Sequence, residues 1–523
     1  MFKKTIVKKG VYYDSVKLML VTREIKDMNG VTEVAVVMGT DLNKDSLERT
    51  GLMTDEANNA SATDMIVGVI CDDEENANKI LDNLDNLLNN NQSGGEKTVY
   101  KPKSVETAVK MQPGSNVCVI SIPGMYAKDM VMDALRNNLH VMLFSDNVSI
   151  DEELELKQYA LKKNLLLMGP DCGTAIINHV PLCFSNKINN GNIGIVAASG
   201  TGAQEVSTLI HKNGGGITQL IGTGGRDLKE HIGGITMLQG IKALNEDINT
   251  EIIAVLSKPP AKAVADKVMR FIKENVKKPV VINFLGDERD AYSEDNIHFV
   301  NTLEEAAIKC LQLSNVVDIN FGLMNDISIN NLAKEESDKI RKTGRYLKGL
   351  FSGGTLAYEA MFSLRDSIGE IYSNMSDENY VTDGFSLPGN ACIDLGDDVF
   401  TVGRAHPMID STLRAEIFAK ELRNLETAVI LMDIVLGYGA NITPERDFVK
   451  ELEKYYAEAG SDSHVSVVVS ICGSKDDPQE YDSIAESLTK LGVVVMPSNL
   501  KAAELTAQII KIRNSKEADN ELK

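Results

Sequence analysis

The chain has 523 residues, 43% of them hydrophobic, which is ample for a buried core and too long for one domain. Its net charge of −21 offers no basic face, which excludes a nucleic-acid binder as the main class. Aromatic residues make up only 5% and Trp is absent, so cores must be aliphatic, as in parallel sheets covered by helices on both faces.

Residues 1–97 read as a small N-terminal α+β domain. Val34–Met38 and Met65–Ile70 are apolar strands, and Glu74–Leu88 carries apolar residues at helical spacing. The N-terminus has charges but no apolar run of signal-peptide length, and no stretch approaches a membrane span. Residues 89–95, Asn-Asn-Asn-Gln-Ser-Gly-Gly, read as a linker. From 98 to 190 short apolar runs (Val117–Ile122, Val141–Phe144, Leu165–Met168) alternate with amphipathic stretches (Ala127–Asn138, Asp151–Lys163), the pattern of βαβ units. The same style continues over 191–330, with strands at Ile193–Ala197, Ile252–Leu256 and Val280–Phe284. Residues 316–340 are polar and aperiodic and are expected to link two domains. The last domain, 331–523, has strands near Tyr346–Phe351, Ala428–Ile434, Val465–Ile471 and Val493–Val495, and a charged tail from Asn514 expected to fray. Seven cysteines are scattered without CxxC spacing, which points to a reducing compartment and a cytoplasmic location. The fold class expected is α/β, several Rossmann-like or flavodoxin-like parallel-sheet domains plus the small N-terminal one.

Two segments match each other. Ala198-Ser199-Gly200-Thr201-Gly202-Ala203-Gln204-Glu205 and Phe351-Ser352-Gly353-Gly354-Thr355-Leu356-Ala357-Tyr358-Glu359 each follow an apolar strand with a Ser-Gly turn and then Thr-x-Ala-x-Glu. This is a duplicated unit, expected to share one strand order. A glycine-rich strand-to-helix turn leaves backbone N–H groups bare at a helix start, where the helix dipole also favours an anion. Ser199, Gly200, Thr201 and Gly202, and Ser352, Gly353, Gly354 and Thr355, are therefore the candidate phosphate-binding residues. Arg226, in Gly224-Gly225-Arg226-Asp227, has the fork for a phosphate or carboxylate, or else pairs with Asp227 or a neighbour. Gly403-Arg404-Ala405-His406-Pro407-Met408-Ile409-Asp410 is the densest polar cluster, and Arg404, His406 and Asp410 are the catalytic candidates, with His406 suited to polarise a carbonyl or carry a proton. Asp394, Asp397 and Asp398 read as a solvated turn, and Asp433, near the end of a buried strand, as a position facing a ligand crevice. No His pair has zinc-ligand spacing, so no protein-only metal site is expected; Mg²⁺ carried with a substrate phosphate is the one metal role left open.

Residues Cys118–Ile177, with Ile122-Pro123-Gly124 and Met168-Gly169-Pro170-Asp171-Cys172-Gly173, resemble the CoA-binding domain of the succinyl-CoA synthetase α subunit, and 191–205 resemble its following segment. The whole chain resembles the FdrA family through Phe144-Ser145-Asp146-Asn147-Val148, Gly224-Gly225-Arg226-Asp227-Leu228, Ser257-Lys258-Pro259-Pro260-Ala261, Ile393-Asp394-Leu395-Gly396-Asp397-Asp398 and the segment 401–410. That resemblance implies an acyl-CoA-synthetase-like enzyme, with 98–190 a degenerate CoA-binding-like domain and 191–330 and 331–523 a CoA-ligase-like pair. It further implies a role in allantoin catabolism as a subunit of an oxamate carbamoyltransferase. Its ligands would be phosphate or carbamoyl phosphate and a small 2-oxo acid amide, its partners other subunits of the same pathway, in an oligomer. The sequence departs from a working CoA ligase at three points: no glycine-rich first βα turn precedes Val117, Gly286-Asp287-Glu288-Arg289-Asp290 carries no histidine where the synthetase has its phosphate carrier, and nothing resembles a nucleotide-grasp domain. Carbamoyl transfer is therefore favoured over CoA ligation with a nucleotide-binding partner, and over a non-catalytic anion-binding scaffold.

Overall fold

The structure is a computed structural model; it describes residues 1–11, 13, 15–26, 28–40, 43–44, 47–48, 50–89, 102–287, 291–317, 319, 326–376, 379–381, 384–401, 404–458 and 463–521. The chain divides into two units, residues 1–101 with 400–405, and residues 102–399 with 406–523.

In the first unit, strands β1 (Phe2–Lys8), β2 (Val31–Met38) and β3 (Met65–Cys71) form an antiparallel sheet in the order β1-β3-β2. Helix α1 (Ser15–Lys26) supplies Leu18, Val21 and Ile25 to the core, and α2 (Glu74–Asp82) supplies Ala77, Ile80 and Leu81. The single helix expected over 74–88 is broken at Asn83, which caps α2 and lets α3 (Leu84–Asn89) start in a new direction. The linker expected at 89–95 lies outside the described residues from position 90.

The second unit opens with α4 (Val105–Met111) and a three-stranded parallel sheet, β4 (Val117–Ile120), β5 (His140–Leu143) and β6 (Leu167–Met168), crossed by α5 (Gly124–Arg136) and α6 (Ile150–Lys162). The hairpin β7 (Thr174–Ile177) and β8 (Val180–Cys183) then leads into the first large sheet. The sheet has eight strands, β7 and β8 together with β9 (Asn190–Ala197), β10 (Ile217–Gly222), β11 (Ile252–Ser257), β12 (Val280–Phe284), β13 (Tyr292–Glu294) and β14 (Ile297–Val300). The parallel strands lie in the order β10-β9-β11-β12-β14, that is 2-1-3-4-5 by chain order, with α7 (Gly200–Lys212), α8 (Ile235–Glu246), α9 (Lys262–Asn275) and α10 (Leu303–Leu313) on the faces. Near-continuous burial along β9, β11 and β12 matches sheets covered on both sides.

The second large sheet repeats that order. β15 (Tyr346–Phe351), β16 (Ala391–Asp394), β17 (Thr427–Val435), β18 (Ser466–Cys472) and β19 (Val494–Met496) are all parallel and lie as β16-β15-β17-β18-β19, again 2-1-3-4-5. Residues 326–339, expected within a polar linker, instead form helix α11 (Asp326–Lys339), which packs on the C-terminal helix through Ile329 and Ala333, both buried. Its low apolar periodicity hid it, because two small or branched residues suffice for that contact. The tail expected to fray from 514 continues helically to Glu521. The remaining helices are α12 (Gly354–Ile368), α13 (Thr412–Arg423), α14 (Arg446–Glu458), α15 (Tyr481–Lys490) and α16 (Asn499–Glu521). One buried cluster draws on both repeats, with Ile195 and Leu209 from the first and Leu356 and Leu505 from the second.

Candidate functional site

Each repeat's first strand ends in the predicted Ser-Gly turn, and the two turns face each other. Ser199 caps α7 by accepting a hydrogen bond from the Gly202 amide at 3.1 Å, and shares a 2.6 Å hydrogen bond with the Thr355 hydroxyl of the other repeat. The approach is close enough to require glycine. A Cβ on Gly202 would lie 3.0 Å from Thr355 Cγ2, and one on Gly353 2.9 Å from Thr201 Cγ2.

The glutamate that ends each copy of the motif explains why the repeats stay together. Glu205, on α7, accepts at 3.0 Å from the amide of Asn499, the first residue of the last helix of the second repeat. Glu359, on α12, accepts at 2.8 Å from the amide of Leu303, the first residue of the last helix of the first repeat. Each repeat thus supplies a carboxyl oxygen to an orphan helix-start N–H of the other. Both glutamates are buried, and burial pushes their carboxyls up, Glu359 to about 8.

The two loops differ in what they hold. In the second, the Asp433 carboxylate accepts from the Ser352 amide at 2.8 Å, the Gly353 amide at 2.7 Å and the Ser352 hydroxyl at 3.1 Å. Arg414 completes the cluster, donating to Asp433 at 2.7 Å and to the Leu350 carbonyl. The donors that the sequence assigns to a phosphate at Ser352 and Gly353 are therefore taken by the chain's own carboxylate. In the first loop Ser199 is buried, Thr201 half-buried and Gly200 exposed.

Around these loops the ends of several parallel strands converge. A Cβ on Gly354 would lie 2.8 Å from Lys258 Nζ and 2.1 Å from an Asp394 carboxylate oxygen. Asp394 is buried, which corrects its reading as part of a solvated turn; Asp398 is exposed as expected, and Asp397 half-buried. Burial pushes the Asp394 carboxyl up to about 6 against the opposing Lys258 charge. Asp171, which water reaches, is also raised to about 6, first by the crevice walls that desolvate it and then by the charges of Asp146 and Asp398, while Lys258 and Arg226 oppose the rise. Sequence reasoning did not single out Lys258, Asp171 or Asp146 as site residues. The signal was present, because each follows a strand, and strand ends face the ligand crevice in open α/β sheets.

Arg226 reaches this region, but its ion partner is Glu153 at 3.0 Å, not Asp227, and it also donates to the Val148 carbonyl at 2.8 Å. Asp227 is held by buried Lys157 at 2.7 Å and caps α8 through the amides of Thr236 and Met237. Arg404 groups with the first unit and is exposed. Asp410 is also exposed, and its carboxylate accepts from the amide and hydroxyl of Thr412 at the start of α13. His406 lies beside the second loop: a Cβ on Gly396 would be 2.5 Å from its Nε2, and its ring is 5.9 Å from that of Phe184. Burial lowers its pKa to about 4, so the ring is neutral near pH 7, and Nδ1 accepts from the Met408 amide at 3.2 Å. That leaves Nε2 as the protonated nitrogen, suited to donate a hydrogen bond rather than to deliver a positive charge.

Three family models match the chain: "AllF, heavy metal-associated domain" over residues 1–104, "CoA binding domain" over 188–285, and "CoA-ligase" over 350–509. The first implies a soft metal, and the residues present do not fit one: residues 1–104 contain no histidine and a single cysteine, Cys71, which is buried in β3 with its thiol pKa raised by burial. The CoA-binding match, over 188–285, falls outside the small sheet to which the resemblance assigns CoA; in that sheet's first helix start, a Cβ added to Gly124 would lie 2.1 Å from the Asp146 carbonyl oxygen. The succinate–CoA ligase (ADP-forming) α subunit of Staphylococcus epidermidis is 28% identical over 192 residues, 35% of this chain and 60% of that subunit. The solved dinucleotide-forming acetyl-coenzyme A synthetase 1 of Ca. Korarchaeum cryptofilum, in complex with phosphate and ADP, aligns with a TM-score of 0.31 and 14% identity, covering 82% of this chain and 89% of that one. The uncharacterized protein YahF of Escherichia coli (strain K12) is 40% identical over 512 residues, 97% of this chain and 98% of its own. With that identity across almost the whole of both chains, the protein belongs to the family of YahF.

Proposed function

We propose that the chain is a group-transfer subunit of the CoA-ligase type, which holds the phosphate of a small activated acid at the helix start of its first Ser-Gly turn and relies on partner subunits for CoA or nucleotide. The observation that carries this reading is the Ser199–Thr355 contact, which sets two strand-to-helix turns against each other at the strand-end crevice. Lys258 beside Gly354 adds positive charge there, and neutral His406 adds a hydrogen-bond donor. Group transfer from an acyl phosphate asks for a clamped leaving group and a polarised carbonyl, which such groups supply by position and charge alone.

A second reading is transfer of a carbamoyl group between carbamoyl phosphate and oxamate, within allantoin catabolism, as the resemblance to the FdrA family implies. The segment that follows β12 in sequence, Leu285-Gly286-Asp287-Glu288-Arg289-Asp290, has no histidine to carry a phosphoryl group, which favours direct exchange at the substrate phosphate. The allantoin-related AllF description of residues 1–104 agrees with that pathway. Co-expression with neighbouring gene products and assay of the assembled complex separates the two. Acyl-CoA formation that needs both CoA and nucleotide supports the first; phosphate-driven breakdown of oxalurate to oxamate and carbamoyl phosphate supports the second. An intact complex that does neither, with and without this chain, would sink both.

A further inference from the structure

The second Ser-Gly turn is one residue longer than the first: Ser352-Gly353-Gly354-Thr355 stands where the first repeat has Ser199-Gly200-Thr201. At the extra glycine, Gly354, two side chains of opposite charge close on the backbone. A Cβ there would lie 2.1 Å from Asp394 Oδ2 and 2.8 Å from Lys258 Nζ, so a side chain would displace at least one of them. The two charges do not meet, because no ion pair joins them within 4.0 Å. They stand too far apart to bond to each other, and near enough for one polar group to touch both.

Neither atom is otherwise used. Asp394 ends β16 and is 6% exposed; its Oδ1 accepts from the Gly396 amide at 2.9 Å, while Oδ2 accepts from no donor among the described residues. Its backbone is fixed by the Asn374 side chain, which bonds both its N–H and its C=O. Lys258, half-buried just after β11, has neither a hydrogen bond nor an ion pair among the described residues. A buried carboxylate that leaves one oxygen unpaired beside an unpaired ammonium is unusual.

The arrangement occurs once in the chain. Asp394 lies in register with Phe351, the residue before Ser352, and Gly222 with Ala197, two residues before Ser199. The first repeat's counterpart of Asp394 is therefore Thr223. Leu256 lies opposite Ala197 and Met432 opposite Leu350, so the second repeat's counterpart of Lys258 is Ile434. Neither counterpart ionises. The pair draws one residue from each repeat and has no copy across the duplication.

We propose that Asp394 accepts the proton of the attacking group in the transfer reaction, and that Lys258 is the positioning residue that keeps this carboxylate charged. This rests on the reading of the strand-end crevice as the site of group transfer, and gives that site its acceptor side. The attacking group is a neutral N–H or S–H that donates to Asp394 Oδ2. Its lone pair forms the bond to the carbonyl carbon, the bond from that carbon to the phosphate oxygen breaks, and phosphate leaves with the electron pair. The proton passes to Asp394 Oδ2 and then to water; in the reverse direction the same carboxyl returns it. An anionic attacker is repelled by Asp394 and a cationic one by Lys258, so the pair selects a neutral one.

The charges that face Asp394 are Lys258 after β11, Asp397 on its own turn and Asp433 of β17, with neutral His406 beside Gly396. Burial raises the Asp394 carboxyl to about 6, and Lys258 limits the rise. The base form is therefore the main one above that pH. The test is the pH dependence of turnover by the assembled complex, followed both as acyl-CoA formation and as oxalurate breakdown. The kcat/KM profile is expected to rise through a limb near pH 6, and Lys258→Met to move that limb to higher pH, because the charge opposing the rise is gone. Asp394→Asn keeps an acceptor for the Gly396 amide and is expected to lower kcat at saturating phosphate at least about a hundredfold, with Asp394→Glu recovering part of the loss. Circular dichroism and the unfolding midpoint report whether each variant is folded, and the Lys258→Met profile decides alone if Asp394→Asn is not. A kcat indifferent to Asp394→Asn, or a limb that stays in place in Lys258→Met, would overturn the assignment and leave the proposed function standing. An intact complex without turnover in either assay removes the proposed function and this assignment with it.

Discussion

Glu359 accepts a hydrogen bond from the amide of Leu303 at 2.8 Å, while Asn499 donates to its second oxygen at 2.8 Å, so one side chain joins the starts of the last helices of both repeats. Its carboxyl is pushed up to about 8 by burial, with the nearby Glu205 and Glu304 charges adding to the rise. In the unfolded chain the group returns to the ordinary range near 4.5. The stability it contributes is fully present below that value and is lost as pH rises through about 8. Chemical denaturation between pH 5 and 8.5 should show wild type losing stability toward the alkaline end, and Glu359→Gln, which cannot ionise, losing less.

His406 sets the opposite slope. Its pKa is lowered to about 4, so the folded state favours the neutral ring and stability falls as pH drops from about 6.5 toward 4. His406→Gln should flatten that acid limb. Activity of the assembled complex should show no limb near pH 6.5 assignable to this histidine, and a pH–rate limb that vanishes in His406→Gln would contradict the burial described.

Arg414 and Asp433 should behave as one unit. Arg414→Met leaves a buried carboxylate with only neutral donors and is expected to cost about 3–5 kcal/mol. Asp433→Asn in that background should recover part of the loss, because it removes the unpaired charge. Equilibrium unfolding of the single and double variants yields the coupling directly, and strict additivity would contradict the pairing.

Ser199→Ala removes both the cap on Gly202 and the bond to Thr355, whereas Thr355→Val removes only the latter. The expected costs are about 2 and about 1 kcal/mol. Equal losses in the two variants would mean that the cap contributes nothing.

Lys258→Met should leave the unfolding midpoint nearly unchanged, since the ammonium makes no ion pair among the described residues, yet lower phosphate affinity about tenfold. Asp410→Ala should leave activity within about twofold of wild type, as this carboxylate is engaged with Thr412.

The repeat was legible because it is written in local signals: an apolar strand, a Ser-Gly turn and a helix start. The sequence led to one strand order shared by both units, and both do share it, but which order that is, 2-1-3-4-5, comes from the structure. What fills the second loop was not legible, because the deciding residue lies far away in sequence. The strand-end position of Asp433 marks it as facing a crevice, but nothing in the sequence pairs it with the Ser352 and Gly353 amides, 81 and 80 residues earlier. His406 and Asp410 illustrate the converse. Nearness along the chain does not fix where side chains go, and here a turn sends Asp410 to a helix start and His406 inward.

The exchange of glutamates between repeats also governs how the chain is made. Glu205 is satisfied by Asn499, 294 residues later, and Leu303 by Glu359, 56 residues later. While the ribosome is still at work, the first repeat emerges with a helix start unanswered until the second repeat's first helix arrives. Its own inward-facing carboxyl waits until nearly the last residues are released. The closing helix of the chain thereby acts as a latch on the first repeat.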